Sequence, residues 1–139
     1  VSQEKLLQGR CIVEGQVEGE ALVTNDAISF MGTIDPKTGY VIERKHEIEG
    51  ACLKGKILVF PMSKGSTGGS YMLYDLVKNG VGPLGIVNRE AESIVVIGAI
   101  VSGLPMVDRI DISQIQTGDY IYLNATEGTA RVVPKAMRA

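Results

Sequence analysis

Four consecutive apolar residues, Ile57-Leu58-Val59-Phe60, run straight into Pro61-Met62-Ser63-Lys64-Gly65-Ser66-Thr67-Gly68-Gly69-Ser70, and this junction limits the possible folds more than any other feature. A short apolar run without polar alternation is the pattern of a strand covered on both faces. Beyond the glycines the period changes. Met72, Leu73, Leu76 and Val77 recur at spacings of three and four, which places them on one stripe of a helix. Asn79-Gly80 supplies a left-handed stop. Leu84-Gly85-Ile86-Val87 then reads as another strand, so residues 56–88 are predicted to form one strand–helix–strand unit.

The flanks read as mostly β-structure. Cys11-Ile12-Val13 and Ala21-Leu22-Val23 are apolar, and between Gly15 and Gly19 the residues Gln16-Val17-Glu18 alternate. Asp35-Pro36-Lys37-Thr38-Gly39 suits a turn, and Val41-Ile42 leads into a polar segment whose His46 is expected to be an exposed loop residue. Ile94-Val95-Val96-Ile97-Gly98-Ala99 fits a strand or a buried helix by periodicity. The favoured reading is a helix from near Ser93 that leads into a strand around Pro105-Met106-Val107. Tyr120-Ile121-Tyr122-Leu123, the turn Glu127-Gly128 and Thr129-Ala130-Arg131-Val132-Val133 make a hairpin. The expected fold class is therefore mixed α+β, a β-rich body packed with a strand–helix–strand core. Residues 1–139 are expected to form one domain.

Charge and hydropathy exclude several roles. With 14 basic against 16 acidic residues and no basic run, no nucleic-acid partner is expected. The longest apolar stretch, residues 94–101, falls far short of the roughly 20 residues of a membrane-spanning helix. Val1-Ser2-Gln3-Glu4-Lys5 lacks the features of a secretory signal, so a cytoplasmic location is expected. Cys11 and Cys52 are expected to be buried thiols, and with His46 they fall short of a metal-ligand set.

The chemistry lies in residues 64–70. The first backbone N–H groups of a helix have no intrahelical partner and, with the macrodipole, create a local positive potential. Glycine there lets a ligand approach the main chain, and a serine hydroxyl at such a place has its alkoxide stabilised for use as a base or nucleophile. The competing reading is structural, with Ser66 or Thr67 simply capping the helix. A Walker phosphate loop is excluded because Lys64 precedes the glycines, and the spacing of a nucleophile elbow is absent. Asp75, Asp108 and Arg109 read as surface or interface charges, Tyr71 and Tyr74 as residues that help pack the helix.

Lys64-Gly65-Ser66-Thr67-Gly68-Gly69-Ser70-Tyr71, followed by Lys78-Asn79-Gly80-Val81-Gly82-Pro83, resembles the small subunits of the aconitase X family. The likeness extends to Ile28-Ser29-Phe30-Met31-Gly32, Asp35-Pro36-Lys37-Thr38-Gly39, Asn88-Arg89-Glu90-Ala91-Glu92, Gly103-Leu104-Pro105-Met106-Val107-Asp108 and Thr117-Gly118-Asp119, and so spans nearly the whole chain. It implies a swivelling β/β/α domain that closes over a larger catalytic subunit in a heterodimer, with a 4Fe–4S cluster held by that subunit. It also implies a hydro-lyase that acts on a small phosphorylated hydroxy acid, dehydrating (R)-5-phosphomevalonate to trans-anhydromevalonate 5-phosphate. In ordinary aconitases the matching loop reads Gly-Ser-Ser-Arg and its first serine abstracts a proton. The match assigns that role to Ser66, with substrate binding by Lys64, Gly65, Thr67, Gly68 and Gly69. Gly68 stands where the arginine would be, so the arginine's contact with substrate does not carry over. Three other readings stay open: dehydration of cis-3-hydroxy-L-proline by the same fold, a mobile phosphohistidine carrier using His46, and a non-catalytic anion-binding domain.

Overall fold

The computed structural model describes residues 3–64 and 68–137. Along these the elements run β1 (Lys5–Gln8), β2 (Arg10–Val13), β3 (Gln16–Val23), β4 (Lys56–Phe60), α1 (Gly69–Lys78), β5 (Gly85–Asn88), α2 (Ser93–Ser102), β6 (Met106–Asp108), β7 (Tyr120–Asn124) and β8 (Thr129–Val133). β4 is buried from Ile57 to Phe60 because it lies between β3 and β5, parallel to both, and feeds two cores. Ile57 and Val59 enter one core, Leu58 and Phe60 the other. That double burial is why the run carries no polar alternation.

The strands form one sheet in the order β1-β8-β7-β3-β4-β5-β6-β2. From β3 to β6 the pairs are parallel, and the remaining pairs are antiparallel. The two outermost strands, β1 and β2, are consecutive in the chain and separated only by Gly9. A sheet whose two edges are joined through one residue has to roll up on itself. Gly9 donates its N–H to the Gly128 carbonyl at 2.8 Å, and a Cβ there would stand 2.2 Å from the Asp108 carbonyl oxygen and 2.7 Å from Ile110 Cδ1. Only glycine fits this corner.

One core, including Ile57, Val59, Val87, Val107, Ile121 and Val132, fills the inside of the roll. The other lies between its outer wall and the helices. Leu73 and Leu76 of α1 are fully buried there, with Met72 and Val77 packed beside them, as the spacing predicts. Asn79 ends α1 by donating to the Asp75 carbonyl, and Gly80 follows at φ +76°. Tyr71 and Tyr74 correct the expectation that they pack the helix: Tyr71 is 74% exposed and Tyr74 39%. They share the outward face of α1 because the core-facing stripe is already filled by aliphatic residues.

The ambiguous segment is a helix, α2, whose N-cap Glu92 accepts the Ile94 N–H at 2.8 Å. Gly98 lets α2 lie close against Leu73 and the Ser70 carbonyl of α1. Ile97, Ile100 and Val101 face outward. The hairpin of β7 and β8 forms as expected, turning through residues 125–128 with Gly128 at φ +75°.

Residues 25–55 form a cover of turns held by isolated bridges such as Ile34 to Val41 and Tyr40 to Cys52. Ile28, Phe30, Ile34, Val41 and Leu53 anchor it in the outer core, and Gly39 N–H closes the expected turn on the Asp35 carbonyl at 2.8 Å. His46 is not an exposed loop residue. It is 6% exposed, with Nε2 3.0 Å from the Ala27 carbonyl and Nδ1 accepting from Ile48 N–H at 3.3 Å. With Nδ1 accepting, Nε2 is the nitrogen left to donate to Ala27. Cys11 and Cys52 are half-buried rather than buried, each on an element with one side toward solvent.

Candidate active site

The parallel strands β4, β5 and β6 end side by side, and α1 and α2 both begin at these ends. In open α/β sheets this carboxyl edge is where ligands bind. Hydrogen bonds lace it together beyond the last strand residues. Arg89 and Glu90 N–H groups both reach the Pro61 carbonyl, at 3.2 and 3.0 Å, and Arg109 N–H reaches the Arg89 carbonyl at 3.0 Å. Pro61, which leaves β4, is thereby fixed to the loops that leave β5 and β6.

Asn88 sits at the root of this lacing, fully buried at the end of β5 beside Phe60. Its Nδ2 donates to the Phe60 carbonyl at 2.9 Å, and more weakly to the Val87 carbonyl at 3.5 Å. Two carbonyl neighbours fix the amide orientation, since a flip would set oxygen against oxygen. Its Oδ1 has no partner among the described residues.

Asp108, expected to be a surface or interface charge, is fully buried within this chain. It receives Nε and an Nη of Arg10 at 3.0 and 2.9 Å and the Ala91 N–H at 2.9 Å. Burial pushes its carboxyl up. The hydrogen bonds from Arg10 and Ala91 and the charges of Arg10 and Arg109 outweigh that, so the net shift is downward. Arg109 itself takes a left-handed backbone, φ +59°, as Ile110 turns back to donate to the Asn88 carbonyl.

Ser66, the expected proton acceptor, lies outside the described residues, as do Gly65 and Thr67. The remaining candidates border that segment. Lys64 donates its N–H to the Ile28 carbonyl at 2.9 Å, and its ammonium meets Glu43 Oε2 at 2.8 Å. Glu43 also accepts the Thr33 hydroxyl. Its carboxyl is held below the ordinary value by the Lys64 hydrogen bond first and by Thr33 second. Gly68 is the N-cap of α1 and offers no side chain to close the first turn. A Cβ on Gly68 would meet Met31 Sδ at 2.4 Å, and one on Gly69 would meet Ile94 Cγ2 at 3.3 Å. At both positions glycine admits a neighbouring side chain, a reason for its presence that does not depend on a ligand.

Ser63 donates to Glu92 Oε1 at 2.9 Å, and the same oxygen caps α2. The α2 start is therefore occupied by a carboxylate from its own chain. Glu43, Asn88 and Asp108 escape a reading of the sequence alone because each acts through a partner at least ten residues away. The one local signal was the polar run Asn88-Arg89-Glu90 after an apolar strand.

Among the described residues no group of three or more His, Cys, Asp or Glu side chains is placed to hold a metal ion. Cys11 lies in β2 and Cys52 in the cover, paired with Tyr40. The described residues of this chain do not fit an iron–sulfur cluster. His46, with both ring nitrogens engaged in a buried site, does not suit a phosphohistidine carrier. No helix is long and apolar enough to cross a membrane among the described residues.

This arrangement, a rolled mixed sheet with two helix starts and a glycine loop at the carboxyl edge of its parallel strands, has known counterparts. The family model described as the aconitase X swivel domain matches residues 6–132, and the chain belongs to that family. The phosphomevalonate dehydratase small subunit of Methanosarcina acetivorans is 48% identical over 136 residues, covering 95% of this chain and 94% of the relative. The protein of the same name from Thermococcus sibiricus is 52% identical over 126 residues, covering 91% and 97%. Among solved structures, the holo-form of Thermococcus kodakaraensis aconitase X superposes with a TM-score of 0.91 at 46% identity, covering 92% of this chain and 98% of that one. A UPF0107 protein solved by solution NMR superposes with a TM-score of 0.85 at 45% identity, covering 93% and 99%.

Proposed function

We propose that this chain is the small, swivelling subunit of a cytoplasmic hydro-lyase that dehydrates (R)-5-phosphomevalonate to trans-anhydromevalonate 5-phosphate. The whole of residues 1–139 acts in this reading as one moving unit, paired with a large subunit in a heterodimer. The observation that carries it is the match to proteins named phosphomevalonate dehydratase small subunit along nearly the full length of both chains. The position of the candidate loop, at the start of α1 and the end of β4, agrees with it.

The 4Fe–4S cluster belongs to the large subunit in this reading, because the described residues here provide no ligand set. What falls to this chain is proton transfer. Ser66, as its alkoxide, takes the hydrogen from the carbon next to the substrate carboxylate. The electron pair left behind forms the C=C bond as the C–O bond to the tertiary hydroxyl breaks; the departing hydroxide takes the proton carried by Ser66, which completes the water and restores the alkoxide. A serine alkoxide is costly in water, and the helix start lowers that cost through its N–H groups and dipole. Exclusion of water when the domain closes adds to the effect. Lys64 and the amides of Gly65, Thr67, Gly68 and Gly69 bind the substrate in this scheme.

The test is reconstitution with the large subunit of the same organism and an assay for dehydration of (R)-5-phosphomevalonate, with each subunit alone as a control. Turnover by the pair and by neither part supports the reading. Turnover of cis-3-hydroxy-L-proline in its place, or full activity of the isolated 139-residue chain, overturns it.

A further inference from the structure

The substrate proposed above carries a carboxylate and a phosphate, yet the cations nearest the candidate loop are already engaged. Lys64 is paired with Glu43 at 2.8 Å, and Arg10 with Asp108 at 2.9 Å. The arginine that ordinary aconitases have in this loop is replaced by Gly68. Two guanidinium groups on the same edge have no such engagement. Arg89 follows β5 directly, Arg109 follows β6 directly, both are exposed, and neither side chain makes an ion pair or hydrogen bond with a described residue.

Their placement is fixed by the main chain. Arg109 N–H binds the Arg89 carbonyl, and Arg89 N–H binds Pro61, the first residue of the loop that holds Lys64. Neighbouring strands lie about 4.8 Å apart, so two arginines on adjacent strand ends start within reach of one anion. Of the acids nearby, Asp108 feels the charge of Arg109 but makes no hydrogen bond with it. Asp108 is saturated by Arg10 and Ala91, and Glu92 Oε1 is taken by Ser63 and the Ile94 N–H. Glu90, exposed between Arg89 and Ala91, is the remaining carboxylate in the loop.

We propose that Arg89 and Arg109 form an anion-binding ledge that takes the phosphate group of the substrate. Paired guanidinium groups suit this task because each presents parallel N–H donors that match phosphate oxygens. The ledge lies beside the start of the candidate loop, so a molecule held by its phosphate extends its other end toward that loop. The identity of the phosphorylated molecule rests on the functional reading above, but the binding of phosphate does not.

The test is therefore run first without catalysis. The relative solved by solution NMR, which the present chain covers over 99% of its length, shows that such chains are tractable in solution. Inorganic phosphate titrated into the full chain is expected to shift the side-chain Nε–H signals of Arg89 and Arg109, and the shifts at each should vanish when the other is replaced by Gln. No change at these two groups, or changes confined to lysines, overturns the ledge. In the assembled enzyme, Arg89→Gln and Arg109→Gln should each raise KM for the phosphorylated substrate about tenfold to a hundredfold with kcat largely kept. An unchanged KM with a fallen kcat also overturns it. Phosphate binding at the ledge in a complex that leaves phosphomevalonate untouched sinks the functional reading alone.

Discussion

Arg10 and Asp108, 98 residues apart in the chain, are joined by two parallel N–H···O bonds of 3.0 and 2.9 Å, with the carboxylate fully buried and the guanidinium half exposed. The pair ties the edge strand β2 to the end of β6. Through the Ala91 N–H it also holds the loop that precedes α2.

Asp108→Asn keeps the size of the side chain and removes its charge. The expected loss is about 1–3 kcal/mol, typical for a buried hydrogen-bonded group left poorly paired. The pH dependence has a definite sign. The Asp108 carboxyl is lowered from its ordinary value of 3.8, so its contribution is complete above that value and disappears as pH falls through the lower folded one. Urea midpoints measured down the acid range should fall less steeply for Asp108→Asn than for the parent protein, and equal slopes would contradict this.

Gly9→Ala places a methyl group 2.2 Å from the main-chain oxygen of Asp108, an atom that cannot step aside alone. A loss of about 1–3 kcal/mol or more is expected, in the range of overpacked sites. Gly68→Ala meets instead the flexible thioether of the half-exposed Met31, and should cost clearly less. Thermal unfolding of the two variants side by side checks the ranking.

Glu43 holds the Lys64 ammonium at 2.8 Å, and both groups are partly exposed, so Glu43→Gln should change stability by no more than about 1 kcal/mol. In the assembled enzyme the same change frees the lysine, and KM for an anionic substrate should fall. Lys64→Gln should raise it. A KM indifferent to both substitutions removes Lys64 from substrate binding.

Ser66→Ala should lower kcat by about 100-fold or more, the range for losing a positioned proton acceptor, while assembly with the large subunit and the iron content of the complex stay unchanged. Loss of the substrate α-proton, followed by exchange into solvent, is the direct readout. Near-parental exchange in the variant rejects Ser66 as the base.

The strand–helix–strand unit, α2 and the final hairpin were readable because each depends on a local pattern: a buried run, a stripe of aliphatic residues, a turn between alternating segments. β1 was not read, since Lys5-Leu6-Leu7-Gln8 is too short to show alternation and forms only by pairing with β8 at the far end of the chain. The cover over residues 25–55 has no period at all, and His46 is buried there through a bond to Ala27. Asp108 looked like a solvent-facing charge because its partner, Arg10, is nowhere near it in sequence. For the site, the loop was visible as a glycine run between a strand and a helix. The lacing beside its first residue was hidden, because Pro61, Asn88, Arg89 and Arg109 meet only when three parallel strands end together.

The tie through Gly9 has a consequence for the swivelling role proposed above. Strands whose hydrogen-bonding rim faces water recruit rims from other molecules, and a swinging lid bares a different surface at each extreme of its travel. By handing both terminal ribbons of the sheet to one length of chain, this fold confines its rim to two strands of four residues each. In the swivelling role proposed above, a lid built this way would offer strangers little strand to zip onto as it opens and shuts.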